Sequence, residues 1–248
     1  MSIQRSLVAF VVGFTVLFAG SAMAGPIAVP NYSFENPVLP IRLDPDFTLR
    51  DLPGWTKDFE DTDDLGDDNQ AWGATNPSLS HFGSLAPLPS PFDANQLAYN
   101  NLLPGDSTSL VTADPATVLN AGDMLMLEVA VGNRNASTFA DIQFEVGLST
   151  ASGMELGTFA STTLEPTGET EVLTYLLDVD AEASAQIGQG AFVRLRGINI
   201  QSPVLEYQGT FGQAFFDNVK LSAVPEPNGI AILLPGFIGL LWRRRRFC

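Results

Sequence analysis

Few side chains in this sequence suit nucleophilic or metal-assisted catalysis. Its 248 residues include one His and one Cys, so they supply neither a multi-histidine zinc site nor an internal disulfide. No G-x-S-x-G elbow accompanies His81, and the scattered glycines form no phosphate-binding loop. We therefore expect that the protein is not an enzyme. One catalytic alternative stays open, because the abundant acidic residues could place two carboxyls for glycoside hydrolysis.

Carboxylates are the commonest chemical groups in the sequence. The chain has 28 Asp and Glu against 12 Lys and Arg, which gives a formal net charge of −16. Such a chain is repelled by phosphate backbones, so nucleic acid is excluded as a partner. Residues 58–68 hold a dense acidic run. This run is either a solvated loop or a low-affinity calcium loop, although Leu65 occupies a position where an EF-hand needs an oxygen ligand.

Two of the few basic residues, Arg194 and Arg196, are two positions apart in the chain. If they lie on a strand, its period of two places both side chains on one face. There they would either pair with acidic side chains of neighbouring strands or bind an anionic glycan.

The first 24 residues have the three parts of a secretory signal. Arg5 supplies the positive charge, residues 7–19 form a short apolar run, and Ala22-Met23-Ala24 supplies the small residues of a cleavage site. We expect signal peptidase to cut after Ala24. The alternative, a membrane anchor, would need an apolar run of about 20 residues.

The last 26 residues have a second three-part pattern. Pro225, Glu226 and Pro227 precede an apolar segment, residues 230–242, and a basic cluster follows it, consisting of Arg243, Arg244, Arg245 and Arg246. This order resembles the PEP-CTERM sorting signal of Gram-negative bacteria that make exopolysaccharide.

The resemblance implies that residues 223–248 are a sorting signal with a short hydrophobic helix, which a membrane exosortase recognises and removes. The basic cluster resists translocation, so the body of the chain would lie outside the inner membrane, tethered there transiently. The mature protein would then reach the cell surface or the extracellular matrix. An ordinary tail anchor is the alternative, and Cys248 would have no role in the mature protein.

The remaining segment, residues 25–222, has the pattern of a β-domain. Gly, Pro, Asn, Asp and Ser recur at short intervals, and apolar residues alternate with period two in four stretches: 124–131, 142–148, 172–177 and 215–221. The stretch 172–177 is predicted to be buried on both faces, and 181–187 to hold a short helical turn. The pattern predicts an all-β fold, an antiparallel jelly-roll β-sandwich, flanked by an N-terminal signal helix and a C-terminal hydrophobic helix.

Four short motifs of this domain carry a second resemblance. They are Asn31–Glu35, Gly54-Trp55, Phe92–Tyr99 and Phe215–Leu221. They are similar to motifs of jelly-roll domains of the galactose-binding and carbohydrate-binding-module type. The resemblance implies a structural calcium ion held by Glu35 and Asp217, with Asn31 or neighbouring carbonyls completing the shell. The alternative is that both carboxylates only hydrogen-bond to turns.

Aromatic and amide side chains could bind the sugar that this second resemblance implies. We expect Trp72 and Tyr99, with Asn69, to form a ligand site, because sugar rings stack on aromatic faces. Trp55 is predicted to lie in the core. The sequence thus favours an exported, non-catalytic protein that associates with exopolysaccharide. A glycan hydrolase on the same scaffold and a matrix filler without a ligand are the alternatives.

Overall fold

The computed structural model describes residues 25–36, 38, 48–49, 52–59, 72–75, 90–92, 96–135, 138–201 and 211–224. The signal segment, the sorting tail, most of the acidic run, Asn69 and His81 lie outside these residues. Within them, no helix is both long and apolar enough to cross a membrane.

The described residues are almost entirely strands. The strands are β1 Gly25–Ile27, β2 Thr48–Leu49, β3 Trp55–Phe59, β4 Trp72–Thr75, β5 Leu97–Leu102, β6 Ser107–Thr112, β7 Thr117–Val118, β8 Met124–Asn133, β9 Ile142–Ser149, β10 Glu155–Leu164, β11 Thr170–Asp178, β12 Gly190–Asn199 and β13 Gly212–Val224. One short helix, α1 Val179–Glu182, begins where Asp178 accepts a hydrogen bond from the Ala181 amide, and a 3-10 turn, Ser184–Gln186, follows it. The predicted helical turn is therefore confirmed.

The strands form two sheets. Sheet A has the order β11-β8-β13-β5-β4-β2, with β1 also beside β13, and sheet B has the order β10-β9-β12-β6-β3, with β7 beside β12. Strand pairs in both sheets are antiparallel, as in β8 with β11 and β9 with β12. The predicted antiparallel β-sandwich of jelly-roll type is confirmed.

The core lies between the two sheets, where the predicted alternation places it. On β8, Leu125, Leu127, Val129 and Val131 are buried, and on β9, Ile142, Phe144, Val146 and Leu148 are buried. The two sheets meet through aromatic contacts such as Phe144 with Phe216, whose ring centroids are 5.7 Å apart in an edge-to-face arrangement. Burial of these side chains is the main source of stability, at about 1.5–3 kcal/mol for each large apolar group.

The prediction that strand β11 is buried on both faces is wrong. Leu173, Tyr175 and Leu177 are buried, whereas Val172 and Leu176 are 44% and 55% exposed. The physical reason is that a sheet of a two-layer sandwich packs on the core with one face only, and the outer face of β11 is exposed at Val172 and Leu176. Edge strands of sandwiches are buried on one face only, whatever their composition.

Strand β13 also departs from simple alternation. Ala214 and Phe216 face the core in its first half, but Val219 and Leu221 face the core in its second half. Asn218 lies between these halves with a φ of 52°, in the left-handed region. An extra residue of this kind is a β-bulge, which turns the following side chains to the opposite face. The prediction that residues 215, 217, 219 and 221 share one face is therefore wrong.

Candidate functional site

A tight loop at the start of the domain positions the first predicted metal ligands. Asn31 and Phe34 have left-handed φ angles of 44° and 55°. The Asn31 side chain closes the loop, because its Nδ2 donates to the Asn36 carbonyl at 2.8 Å and its Oδ1 accepts from the Asn36 amide at 3.0 Å. Phe34 anchors the loop in the core against the Trp55 ring, 5.3 Å away between centroids. The Asn31 side-chain oxygen thus already accepts a hydrogen bond within the turn.

Hydrogen bonds tie this loop to Gln96, which directly precedes β5, and to strand β13. The Gln96 amide donates to Glu35 Oε1 at 2.8 Å, and Gln96 Nε2 donates to the Phe34 carbonyl at 2.8 Å. The Val219 amide donates to the Tyr32 carbonyl at 2.9 Å. The beginning and the end of the domain are therefore adjacent, as the calcium prediction requires.

The bulge of β13 lies at this junction. Asp217 is fully buried, and Asn218 Oδ1 is buried without a hydrogen-bond partner in the described part of the chain. A buried oxygen in this state loses its hydration without compensation, which a cation would restore. We call Asn31, Glu35, Gln96, Asp217 and Asn218 the strand-end cluster. Its oxygen chemistry fits calcium, although no group of three or more His, Cys, Asp and Glu side chains within the described ranges is placed to hold a metal.

The outer face of sheet A, which points away from the core, has a second apolar cluster. It consists of Phe92, Leu97, Tyr99, Ala130 and Phe215. Phe215 and Tyr99 are directly opposite each other in the β5–β13 register. Tyr99, a predicted ligand residue, is 1% exposed there. We call this group the aromatic cluster, and its members are all buried.

A row of polar side chains lies beside the aromatic cluster on the same face. Gln213 and Asn101 are the next cross-strand pair along β13 and β5. Arg134 Nη1 donates to Gln213 Oε1 at 3.3 Å, and Gln213 Nε2 donates to Asn101 Oδ1 at 2.9 Å. Arg134 also lies over the Phe139 ring, 4.7 Å from its centroid. We call Asn101, Gln213 and Arg134 the amide row.

The loop that carries Arg134 and Phe139 is held at its base by one buried side chain. Asn133 Nδ2 donates to the carbonyls of Ala140 and Leu164, at 3.0 and 2.9 Å, and Asn133 Oδ1 accepts from the Arg134 amide at 2.7 Å. The Ala140 amide in turn donates to the Phe211 carbonyl at 2.9 Å. Strands β5 and β13 therefore position Asn101 and Gln213, and the loop held by Asn133 positions Arg134.

The other predicted ligand aromatic has a different place. Trp72 is opposite Asn100 in the β4–β5 register and packs its partly buried ring against the main core. It does not share the face of Tyr99, so the structure does not bring these two predicted ligand residues together, and Asn69 lies outside the described residues. Trp55 is buried as predicted, with its Nε1 donating to the Pro30 carbonyl at 2.9 Å.

The outer face of sheet B carries ion pairs. Arg196 lies 2.8 Å from Glu145 and 3.1 Å from Glu155, and its guanidinium carbon is 5.9 Å from the centroid of the Phe159 ring. Of the two predicted roles for Arg196, pairing with neighbouring acids is confirmed. Arg194, on the same strand face, is 2% exposed and thus buried.

The sequence prediction missed Asn101, Arg134, Phe139, Gln213 and Gln96. Two of them had a usable signal, since period two places Asn101 with Tyr99 and Gln213 with Phe215. The signal could not show that the two strands are neighbours, because β5 and β13 are more than 100 residues apart in the chain.

Comparisons with known proteins add a family and a set of similar structures. The family model described as "HpiC1-like: HpiC1 cyclase" matches residues 25–222. A search of curated proteins found no match.

Solved structures with a similar fold include enzymes and a binding module. A Stig cyclase, Fisc, from Fischerella sp. TAU, solved with (3Z)-3-(1-methyl-2-pyrrolidinylidene)-3H-indole, has a TM-score of 0.57 and 22% identity, covering 82% of this chain and 98% of that one. An arabinose-bound α-L-arabinofuranosidase has a TM-score of 0.50 and 13% identity, covering 82% and 27%. The module TmCBM61, solved with β-1,4-galactotriose, has a TM-score of 0.42 and 14% identity, covering 79% and 97%. The first two show that the sandwich fold is shared.

Proposed function

The chain belongs to the HpiC1-like cyclase family, and from this premise we propose that it is an exported protein that uses the family's sandwich to bind a glycan without catalysis. The binding site is the outer face of sheet A. The protein would work outside the inner membrane, at the cell surface or in the extracellular matrix, where exopolysaccharide supplies the ligand.

One observation carries this proposal: on the outer face of sheet A a hydrogen-bonded amide row with half-buried members lies beside a buried aromatic cluster that supports it. Ligand sites combine apolar surface with a few polar groups whose positions are fixed by their own neighbours. Here Gln213 is held between Arg134 and Asn101, and Arg134 is held over Phe139. Asn101, Arg134 and Phe139 are half-buried, so they keep surface for a ligand.

Export rests on the two ends of the chain, which lie outside the described residues except for residues 223 and 224 at the end of β13. A signal segment at 1–24 and a sorting tail at 223–248 give one consistent topology, in which the body is outside and the arginine cluster stays inside. Signal peptidase and an exosortase would be the processing partners. A chain tagged at both ends would lose both tags in a cell that has the exosortase, whereas intact protein recovered from the cytoplasm would contradict the proposal.

Calcium would act at the strand-end cluster as a structural ion. Glu35 and Asp217 would supply carboxylate oxygens, Asn218 an amide oxygen, and the loop at Asn31 its backbone carbonyls. A calcium ion needs six to eight oxygens, which the loop and the bulge of β13 would have to supply together with water. Its effect would be to bind the first loop of the domain to its last strand.

A second function is favoured by family membership and by the ligand of the Fischerella cyclase. The same face could bind an aromatic heterocycle and assist ring closure, with the Tyr99 hydroxyl as the proton-bearing group, provided that the bound rings displace the side chains that bury it. In this case the substrate and product would be isomers of equal mass, because ring closure by proton donation and recovery adds and removes no atoms.

The decisive experiment offers both ligands to one protein. Purified exopolysaccharide and the heterocycle of the Fischerella complex are titrated against the wild type, Gln213→Ala and Gln143→Ala. The last variant is the matched control, because Gln143 is a half-buried glutamine on the outer face of sheet B. We expect wild type and Gln143→Ala to bind the glycan and Gln213→Ala to bind it at least tenfold more weakly.

The recovered ligand then separates binding from catalysis. Glycan of unchanged chain length and linkage supports the proposal, whereas shortened glycan indicates a hydrolase. Binding of the heterocycle without the glycan, with turnover that Tyr99→Phe abolishes, supports the cyclase alternative. Binding of neither ligand overturns both functions.

A further inference from the structure

Strand β11 is an open edge of sheet A. It pairs with β8 on one side, and no strand of the described ranges pairs with it on the other. Its nine residues, Thr170–Asp178, keep one register with β8 throughout and include neither Pro nor Lys. A long, regular edge of this kind presents its unpaired backbone groups as a template for another strand.

The neighbouring edge, in sheet B, is protected. β10 has a register shift against β9 between Leu156 and Ala160, which bends the strand away from regular pairing. The Tyr175 hydroxyl donates to the Leu156 carbonyl and so joins this bent edge to β11. Of the two edges on this side of the sandwich, β11 is therefore the one that can accept a further strand.

The outer face of β11 is apolar where a solvated edge strand is usually polar. Val172 and Leu176 are the exposed apolar residues, and Thr174 between them is exposed as well. They lie two residues on either side of Thr174. If an antiparallel copy of the strand is centred on Thr174, Val172 of each copy is opposite Leu176 of the other. We call this arrangement the symmetric register.

Other registers of the same two strands lose this match. A centre at Leu173 would place both exposed apolar side chains opposite threonines. A centre at Tyr175 would place Val172 opposite Asp178. In the symmetric register, by contrast, neither acidic side chain of the strand is opposite an acidic side chain of the other copy. The sequence of β11 is thus complementary to itself in one register.

From this self-complementary edge we infer that β11 pairs with β11 of a second copy, so that sheet A continues across a two-fold axis. The interface is isologous, with the same strand on both sides. One strand pair with its side chains is at the low end of interface sizes, below about 1,200 Å², so the dimer is weak and depends on concentration. The net charge of −16 on each copy opposes association, and salt screens this repulsion.

The symmetry of this pairing fixes how the two copies present their faces. Identical strands that pair antiparallel in one sheet are related by an axis perpendicular to that sheet. Both outer faces of sheet A therefore point the same way. Under the proposed function one dimer would offer two sites to one polymer, whose second attachment is intramolecular. This consequence rests on the proposed function, whereas the dimer does not.

Sedimentation of the full chain over a wide range of concentration tests the dimer without any ligand. Thr174→Lys places two ammonium groups opposite each other at the axis, and within one copy the new charge is accepted by Glu128, which is opposite Thr174. We expect it to raise the dissociation constant at least about tenfold. Thr56→Lys, at an exposed threonine of β3 at the other end of sheet B, is the matched control and should dimerise like the wild type. Equal unfolding midpoints show that both variants are folded.

A second pair of variants removes apolar contact and adds no charge. Val172→Thr acts twice in a symmetric interface, once in each copy, so we expect it to weaken the dimer at least about threefold. Val118→Thr, on β7 of sheet B, changes a valine that is 49% exposed, close to the 44% of Val172, and should have no effect.

Cross-linking in chains that also carry Cys248→Ser tests the register. Thr174→Cys should form a covalent dimer with oxidised glutathione, because opposite residues of an antiparallel pair have Cα atoms about 4.5–5.5 Å apart, within disulfide range. Val172→Cys and Leu176→Cys should cross-link when mixed and stay uncoupled when alone. Self-coupling of Val172→Cys, or none by Thr174→Cys, would overturn the symmetric register.

A chain that stays monomeric at every concentration overturns the inference. Association that Thr174→Lys leaves unchanged also overturns it, because that association would use another surface. A dimer that binds no glycan supports the inference and defeats the proposed function. A monomer that binds glycan does the reverse.

Discussion

The two outer faces of the sandwich are built from the same kind of strand but differ in what their side chains bond to. On sheet B, Arg196 is paired with Glu145 and Glu155, and Gln143 donates to Glu145 Oε1 at 2.9 Å. On sheet A, a buried aromatic cluster lies beside a row of hydrogen bonds that runs from Arg134 through Gln213 to Asn101. The outer face of sheet B is dominated by charged and polar contacts, whereas the outer face of sheet A combines a buried aromatic cluster with a row of hydrogen-bonded amides.

This difference indicates which face is available for recognition. Polar groups that satisfy one another gain little from a ligand, because binding only exchanges one partner for another. Polar groups that are positioned by neighbours and still have N–H bonds to offer pay little ordering cost on binding. Composition alone would have favoured the charged face of sheet B for an anionic ligand, whereas the proposed function places the ligand on the outer face of sheet A.

The largest expected difference between the faces is in packing. Phe215→Ala removes a fully buried ring from the aromatic cluster and should lower the free energy of unfolding by about 3–5 kcal/mol. Phe159 is a half-buried ring on the outer face of sheet B, where it packs against the backbone of Gly147. Phe159→Ala should therefore lower the free energy of unfolding by roughly half as much as Phe215→Ala. Urea unfolding of both variants measures the two costs. Equal costs would show that the cluster on sheet A is no better packed than the surface of sheet B.

Calcium should stabilise the sheet A side of the molecule. If the ion binds the strand-end cluster in the folded state only, a free concentration 100-fold above Kd adds about 2.7 kcal/mol to the free energy of unfolding. Melting curves with calcium and with chelator measure this effect, and Asp217→Asn should abolish it. Glu145→Gln, a carboxylate removed from sheet B, is the matched control and should keep it. A midpoint that does not respond to calcium would dispose of the metal proposal.

The contact that joins the edges of the two sheets should respond to alkaline pH. The Tyr175 hydroxyl of β11 donates to the Leu156 carbonyl of β10, and burial, followed by the charge of Glu182, raises the pKa of Tyr175. The unfolded chain loses this proton near pH 10, so the stability from the neutral phenol is complete below about pH 10 and declines above it. Tyr175→Phe should cost about 1 kcal/mol at neutral pH and flatten the alkaline decline. An identical alkaline slope in both proteins would assign the decline to other groups.

The ion pairs of sheet B should make the smallest contribution. Arg196 and Glu145 have side chains that are 12% and 19% exposed, so the pair is partly shielded from water. A double-mutant cycle of Arg196→Met and Glu145→Gln should give a coupling energy of about 1 kcal/mol. Neither change should alter ligand binding. Loss of glycan affinity in Arg196→Met would move the binding site to sheet B and reverse the comparison.

Much of the fold could be predicted from period two alone. The alternations on β8 and β9 predicted their buried faces because a central strand of a sandwich has one core face and one outer face. The same pattern failed on β11, where Val172 and Leu176 are apolar but exposed. An apolar side chain can be buried, but whether it is buried depends on which elements pack over it. The topology of the fold decides that, and the local sequence pattern does not show it.

The candidate site was predictable only in part. Glu35 and Tyr99 were found because they lie in motifs of a resembling domain, and the structure places the loop of Glu35 beside β13. The sequence prediction missed the amide row, Asn101, Gln213 and Arg134. These side chains come together only through the pairing of two distant strands and the position of a loop, which the sequence does not show. Trp72 was assigned to a ligand face on its residue type, and its partly buried ring packs on the main core.

The left-handed residue at position 218 has a consequence for comparing relatives of this protein. Because this residue is an extra one in the strand, core-facing positions are even-numbered before it and odd-numbered after it. The two halves of the strand therefore tolerate apolar and polar substitutions at opposite sets of positions. An alignment that shifts a gap by a single column across this point would exchange core positions for surface positions in every residue that follows. Correct placement of that column is thus a structural criterion for deciding which sequences share both ends of this strand.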